Sequence, residues 1–312
     1  RAGLAGEREV QDHVAWQKAH PQKGTKDPTA RRLTTNQMFE TCAPCHARRA
    51  ELTGDLIPGA LFANHYAVTI VDESDLYYPD GQVREEDYEY ASLLSSRMWA
   101  SGVRCVHCHD PHSGKTILQG DALCLQCHSA PTPPAPKIDA AKHSFHKTGT
   151  PGDRCVDCHM PLTPYMQRHW RHDHGFTIPD PLLTKQFAIP NACNRCHTNQ
   201  TADWSLQWTE KWYKKKMERP TRARAQTVAK ARQGDAATVP ALVALTRDDT
   251  IPLWRASAAI LLQRWAGQPQ VSAALLQALR DTDPMVRHMA VRSLETLTGS
   301  DARVAAEVRR LL

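Results

Sequence analysis

The ten cysteines of this chain fall without remainder into five Cys-x-x-Cys pairs, and a histidine follows each pair at once. The five strings are Cys42-Ala43-Pro44-Cys45-His46, Cys105-Val106-His107-Cys108-His109, Cys124-Leu125-Gln126-Cys127-His128, Cys155-Val156-Asp157-Cys158-His159 and Cys193-Asn194-Arg195-Cys196-His197. On one helical turn the first and fourth residues share a face, so two thiols reach the two vinyl groups of one porphyrin while the adjoining imidazole reaches its iron. The spacing therefore predicts five covalently attached c-type haems, with iron held on the proximal side by His46, His109, His128, His159 and His197. Zinc ribbons also use paired cysteines, but nothing in a zinc site demands histidine after every second cysteine. Disulfides and iron–sulfur ligation fit no better, because adjacent pairs staple no loop and clustered cysteine runs are absent.

What stands opposite each proximal histidine separates a conduit from a catalyst. An iron with two protein ligands has no room for substrate, whereas an iron with one can bind and reduce a small molecule. Eleven of the sixteen histidines remain for the opposite side, and six are candidate distal ligands: His13, His65, His112, His143, His146 and His174. His112 lies just past the second motif, where Pro111 turns it away from its own haem toward a neighbour. His143 and His146 are spaced to share one side of a turn beside the fourth motif. His174 closes the run His169-Trp170-Arg171-His172-Asp173-His174, in which Asp173 could orient a ring. His107 and His288 read as structural, and Met98, Met160 and Met166 as thioether alternatives that would raise a potential. The expectation is bis-histidine coordination at most or all irons, with no catalytic residue assigned. The alternative is an oxidoreductase acting on a small nitrogen or sulfur compound at one open iron.

The elements that must position these groups read as a mainly α fold with much irregular loop. Residues 1–35 form a polar lead-in, residues 36–218 the haem domain and residues 219–312 a short HEAT-like solenoid. A helix is expected from Tyr88 to Ser101. The second and third motifs are close enough in sequence to make their haems neighbours, and prolines 131, 133, 134 and 136 mark an extended connection. Trp204, Trp208 and Trp212 form a helical stripe that would stack on a haem or fill a core, ahead of the lysines 214–216. In the tail, Arg247-Asp248-Asp249, Pro252, Arg255 and Ala258 return as Arg280-Asp281-Thr282, Pro284, Arg287 and Ala290. Proline suits a first helical turn, and Asp249 or Asp283 suits a helix start.

The formal charge of +6 does not point to nucleic acid, because five haems would bring about ten propionates that offset it. No run of about 18 apolar residues is present to span a membrane. Attachment of c-type haem takes place outside the cytoplasm, so a periplasmic or extracellular location is expected. A start at Arg1 suggests a processed or truncated product.

The strings Arg154–Pro161, Cys108–Gly114 and Asn191–His197 resemble multihaem cytochromes of the group that includes tetrahaem electron-transfer cytochromes, pentahaem nitrite reductase and octahaem hydroxylamine oxidoreductase. More closely, they resemble bacterial multihaem cytochromes carrying C-terminal HEAT-like or tetratricopeptide repeats. The resemblance covers roughly residues 35–200. It implies a helical wrap around closely packed haems, distal histidines supplied from elsewhere in the chain, and further haem motifs ahead of residue 1 in longer relatives. Pentahaem nitrite reductases use a lysine-ligated active haem, and no motif here ends in lysine, so dedicated nitrite reduction is disfavoured. Redox partner proteins are implied, whether the chain is a shuttle, a subunit of a membrane-associated redox complex, or a homo-oligomer or extracellular filament.

Overall fold

The computed structural model describes residues 37–54, 60–85, 88–129, 135–165 and 168–310. The lead-in with His13, and Met166, lie outside them. Among the described residues the fold is mostly helical, with sixteen α-helices and two small antiparallel sheets of two strands each.

Helices in the haem region are short, many of only four to seven residues, a length that is not stable alone in water. Side-chain caps start some of the helices here. Asn191 accepts from the Asn194 N–H and Thr201 from the Trp204 N–H, each starting the next helix. The single helix expected from Tyr88 to Ser101 is instead two, Glu89–Leu94 and Arg97–Ala100. The Ser95 and Ser96 hydroxyls donate to the Ser92 and Leu93 carbonyls at 2.7 Å each, and Ser96 Oγ then accepts the Trp99 N–H at 3.1 Å. Such local bonds compete with the helical ladder and here end it.

The hairpin Leu162–Tyr165 with His169–His172 pairs Leu162 with His172 and Tyr165 with His169, so it presents the histidine-rich run on an ordered strand. Its second strand leads directly into Asp173 and His174.

The repeats behave as the internal period predicts. Pro252 and Pro284 each open a helix, Pro252–Leu261 and Pro284–Leu294. Arg255 Nη1 donates to the Asp249 carbonyl at 3.0 Å and Arg287 Nη1 to the Asp281 carbonyl at 2.8 Å, the same bond one repeat later. Between repeats, Arg224 meets Asp249 at 2.9 Å and Arg255 meets Asp281 through two bonds at 2.8 and 2.9 Å.

One apolar core runs from Phe39 on the first motif's helix, through Tyr77, Tyr90 and Leu94, into Trp254, Leu275 and Leu294 of the repeats. Trp254 is 2% exposed and donates Nε1–H to the Ser95 carbonyl at 2.9 Å. The Arg224 guanidinium covers its ring at 4.0 Å. Gly81 lies against the same ring at a φ of +94°, and a Cβ there would sit 3.0 Å from the indole. Arg222 adds a bidentate pair with buried Asp180, at 2.7 and 2.9 Å, and Arg232 reaches the Tyr77 and Val71 carbonyls.

Candidate haem sites

Each motif sits on a helical turn. The first ends the helix Gln37–His46, the third the helix Ala122–His128, the fourth forms Cys155–His159 and the fifth lies in Ala192–Cys196. The second is a tighter 3₁₀ turn, Cys105–His107. His107 shapes that turn, since its Nδ1 accepts the Arg104 N–H at 2.8 Å, in keeping with a structural role. His288 stands among the repeat helices, where burial lowers its pKa.

Three of the five motif histidines face a second imidazole. His109 and His174 have centroids 6.3 Å apart, His159 and His143 6.0 Å, and His197 and His146 6.3 Å. Two imidazoles bound end-on to one metal at about 2 Å per bond hold their centroids roughly 6 Å apart. The pairs therefore leave the space that one iron requires, and the residues present fit a haem ligated from both sides. In three of the six rings the outer nitrogen is tied off in the way usual for metal-ligating histidines. His159 Nδ1 meets the Thr177 carbonyl at 3.0 Å, His174 the His172 carbonyl at 2.8 Å and His146 the Ser144 carbonyl at 2.7 Å. Burial lowers the pKa of His143, His159 and His174, which keeps those rings in the neutral, metal-binding form.

The sequence expected His143 and His146 to share one side of a turn at the fourth motif. They point to different motifs instead, because Phe145 between them takes φ 57° and turns the chain. Gly152, at φ +88°, leaves room for the His146 ring, which a Cβ would approach to 2.8 Å. Asp173 is a second correction. Its oxygens bind no ring; they accept from the Val83 N–H, the Ser92 hydroxyl and the Gly175 N–H at 2.7–2.8 Å. It acts on His174 by charge and by fixing the loop that carries it.

The other candidates are placed differently. His65 Nδ1 contacts Thr53 Oγ1 at 2.5 Å. His112 lies exposed on the Asp110 turn, and the structure brings it to no other motif among the described residues. His172 was not among the six candidates, yet it carries the ligand signature, with Nδ1 on the Met160 carbonyl at 2.5 Å. Only the bond geometry singles it out, since it stands in one short run with His169 and His174. Glu89 was also missed: its Oε2 lies 3.3 Å from His46 Nδ1 and its Oε1 3.2 Å from Arg171.

Contacts join the motifs in chain order. The Cys42 and Cys105 side chains lie next to each other, and so do those of Cys124 and Cys155. Gln126 of the third motif donates to the His107 carbonyl of the second at 3.3 Å, and the Cys155–His159 helix packs on Ala192–Cys196. The expected contact of the second and third motifs is thus present within a longer series.

The tryptophan stripe is neither core nor solvent face. Ser205 and Thr209 are the buried residues of the helix Ala202–Tyr213, while the indoles form a half-buried row beside the fifth motif. Trp204 lies 4.9 Å from His197, and Trp212 lies 6.2 Å from His146 and stacks on Phe145 at 4.9 Å and 3°.

Residues 135–242 match the family model described as Cytochrome c552, a stretch that takes in the fourth and fifth motifs with His143, His146 and His174. Residues 209–295 and 239–312 match HEAT repeats. These matches agree with the expected c-type cytochrome and with the expected helical repeats, the latter beginning inside the region that the sequence assigned to the haem domain. Among solved structures, the chain is similar to the outer cell wall cytochrome OcwA, at 16% identity and a TM-score of 0.45, over 90% of this chain and 68% of that one. No curated protein matches the chain. No helix among the described residues is long and apolar enough to cross a membrane.

Proposed function

We propose that this protein transfers electrons through five covalently attached c-type haems whose irons follow one another in the order of their motifs. The observation that carries the proposal is the set of three imidazole pairs at 6.0–6.3 Å, each joining a motif histidine to one from elsewhere in the chain. Haem c, when bound, supplies one-electron chemistry at an iron that changes little in geometry. The chain's own residues do the rest. Cys42 and Cys45, Cys105 and Cys108, Cys124 and Cys127, Cys155 and Cys158, and Cys193 and Cys196 anchor the porphyrins. His109 with His174, His159 with His143, and His197 with His146 would hold an iron from both sides and leave substrate no place on it. His46 and His128 serve as proximal ligands at the two remaining sites, for which His13, His65 and His172 are the candidate partners.

The inter-motif contacts support a file of closely spaced sites rather than scattered ones. The haem domain would span residues 36–218 and the solenoid residues 219–312, with the shared core holding the two in register. Haem attachment implies an exported protein, periplasmic or extracellular. Redox proteins are the partners that the chemistry asks for, within a soluble shuttle, a membrane-associated complex or a filament.

The test is to replace His143, His146 and His174 singly with glycine and record low-temperature EPR and carbon monoxide binding. Each change is expected to convert one low-spin centre to a high-spin one that binds carbon monoxide when reduced. Unchanged spectra in all three would overturn the pairing. Carbon monoxide binding and turnover of a nitrogen or sulfur compound by the unaltered protein would favour the oxidoreductase alternative.

A further inference from the structure

We infer that Glu89 is a positioning residue that lowers the reduction potential of the iron held by His46, setting that site apart from those of His128 and His159. The inference rests on the haem reading above and deepens it.

Its basis is the Nδ1 partner of three motif histidines, His46, His128 and His159. His128 Nδ1 meets the Pro136 carbonyl at 2.9 Å and His159 Nδ1 the Thr177 carbonyl at 3.0 Å. Both acceptors are neutral backbone groups. His46 Nδ1 instead meets a carboxylate, Glu89 Oε2, at 3.3 Å. A charged acceptor draws the ring proton further than a carbonyl does, so the opposite nitrogen becomes a stronger donor to the metal. Stronger donation stabilises the oxidised iron and lowers its potential.

The carboxylate is built in rather than passing by. Its side chain is 24% exposed, and its second oxygen is held by Arg171 at 3.2 Å. Arg171 is itself fixed, with its guanidinium 4.2 Å above the Tyr165 ring. Arg171 also limits the effect, because it draws on the same charge. Glu89 interacts electrostatically with His174, the partner of the second motif's histidine, so its charge reaches the second site more weakly than the first.

The experiment is a spectroelectrochemical titration of the purified holoprotein, resolved into its one-electron components, for the unaltered chain, Glu89→Gln and Arg171→Gln. Glutamine keeps the shape and an acceptor oxygen but not the charge. Glu89→Gln is expected to move one component to higher potential, a second by less, and the rest not at all. Arg171→Gln, which leaves the carboxylate undivided, is expected to move the same component lower. Shifts of the same sign in both variants would mark a merely structural disturbance and overturn the inference, as would an unmoved titration. Intact mass and EPR of the same samples report the haem complement separately. A chain without haems sinks the underlying reading, whereas full haem content with an unmoved titration sinks only the role of Glu89.

Discussion

The two halves of the molecule are stabilised by different means. In the repeats, helices of ten or eleven residues bury aliphatic side chains and repeat one arginine–aspartate bonding scheme. Around the motifs, helices are short, loops are pinned by single polar side chains such as Asp173, and the rings that face one another are imidazoles. A helical repeat carries its stability in its own sequence. The motif region, by contrast, arranges imidazole pairs, and it is tied to the repeats through Trp254 and Arg222.

That dependence can be broken in graded steps. The largest effect is expected at Trp254, where Trp254→Ala empties a core site and removes the bond to Ser95; a loss of about 4 kcal/mol in denaturant unfolding is expected. If the haem Soret signal and the helical CD signal then melt at the same temperatures as before, the two halves are not coupled through this residue. Next is Asp180→Ala, which strands Arg222 at 13% side-chain exposure and is expected to cost about 3 kcal/mol. An unchanged midpoint would show that the pair adds nothing to the junction.

A third effect sharpens the comparison through pH. Asp80 is held mainly by burial, and further by the charge of Asp173, at a pKa pushed up to about 6 from 3.8. The folded state thus keeps a proton that the unfolded state releases between those values, so this group's contribution to stability falls as pH rises from about 4 to 6. Thermal melts of Asp80→Asn across that range are expected to lose this slope, against about 2 kcal/mol of pH-dependent stability retained by the unaltered protein. The smallest effect is at Ser96, the cap that restarts the broken helix. Ser96→Ala is expected to cost about 1 kcal/mol, read from the chemical denaturation midpoint.

Much of this was legible in the sequence, and unevenly so. The five candidate haem motifs were, because thioether chemistry would fix the spacing of cysteine and histidine within one turn whatever the fold. The repeats were, because a period of similar residues needs similar helices. Ligand pairing was not. His143 and His146 look equivalent in the chain, and only the backbone of Phe145 sends them to different motifs. The helix break at Ser95 and Ser96 depends on hydroxyl bonds that a periodic apolar pattern conceals. The tryptophan spacing gave the stripe but not its surroundings, since a helical period says nothing about what stands opposite.

Intact mass spectrometry of the purified protein under denaturing conditions decides whether haem is attached, because thioether-linked porphyrin survives unfolding. The expected mass is that of the polypeptide plus five haem groups, all lost when the cysteines are replaced. A mass equal to that of the bare chain would contradict that expectation.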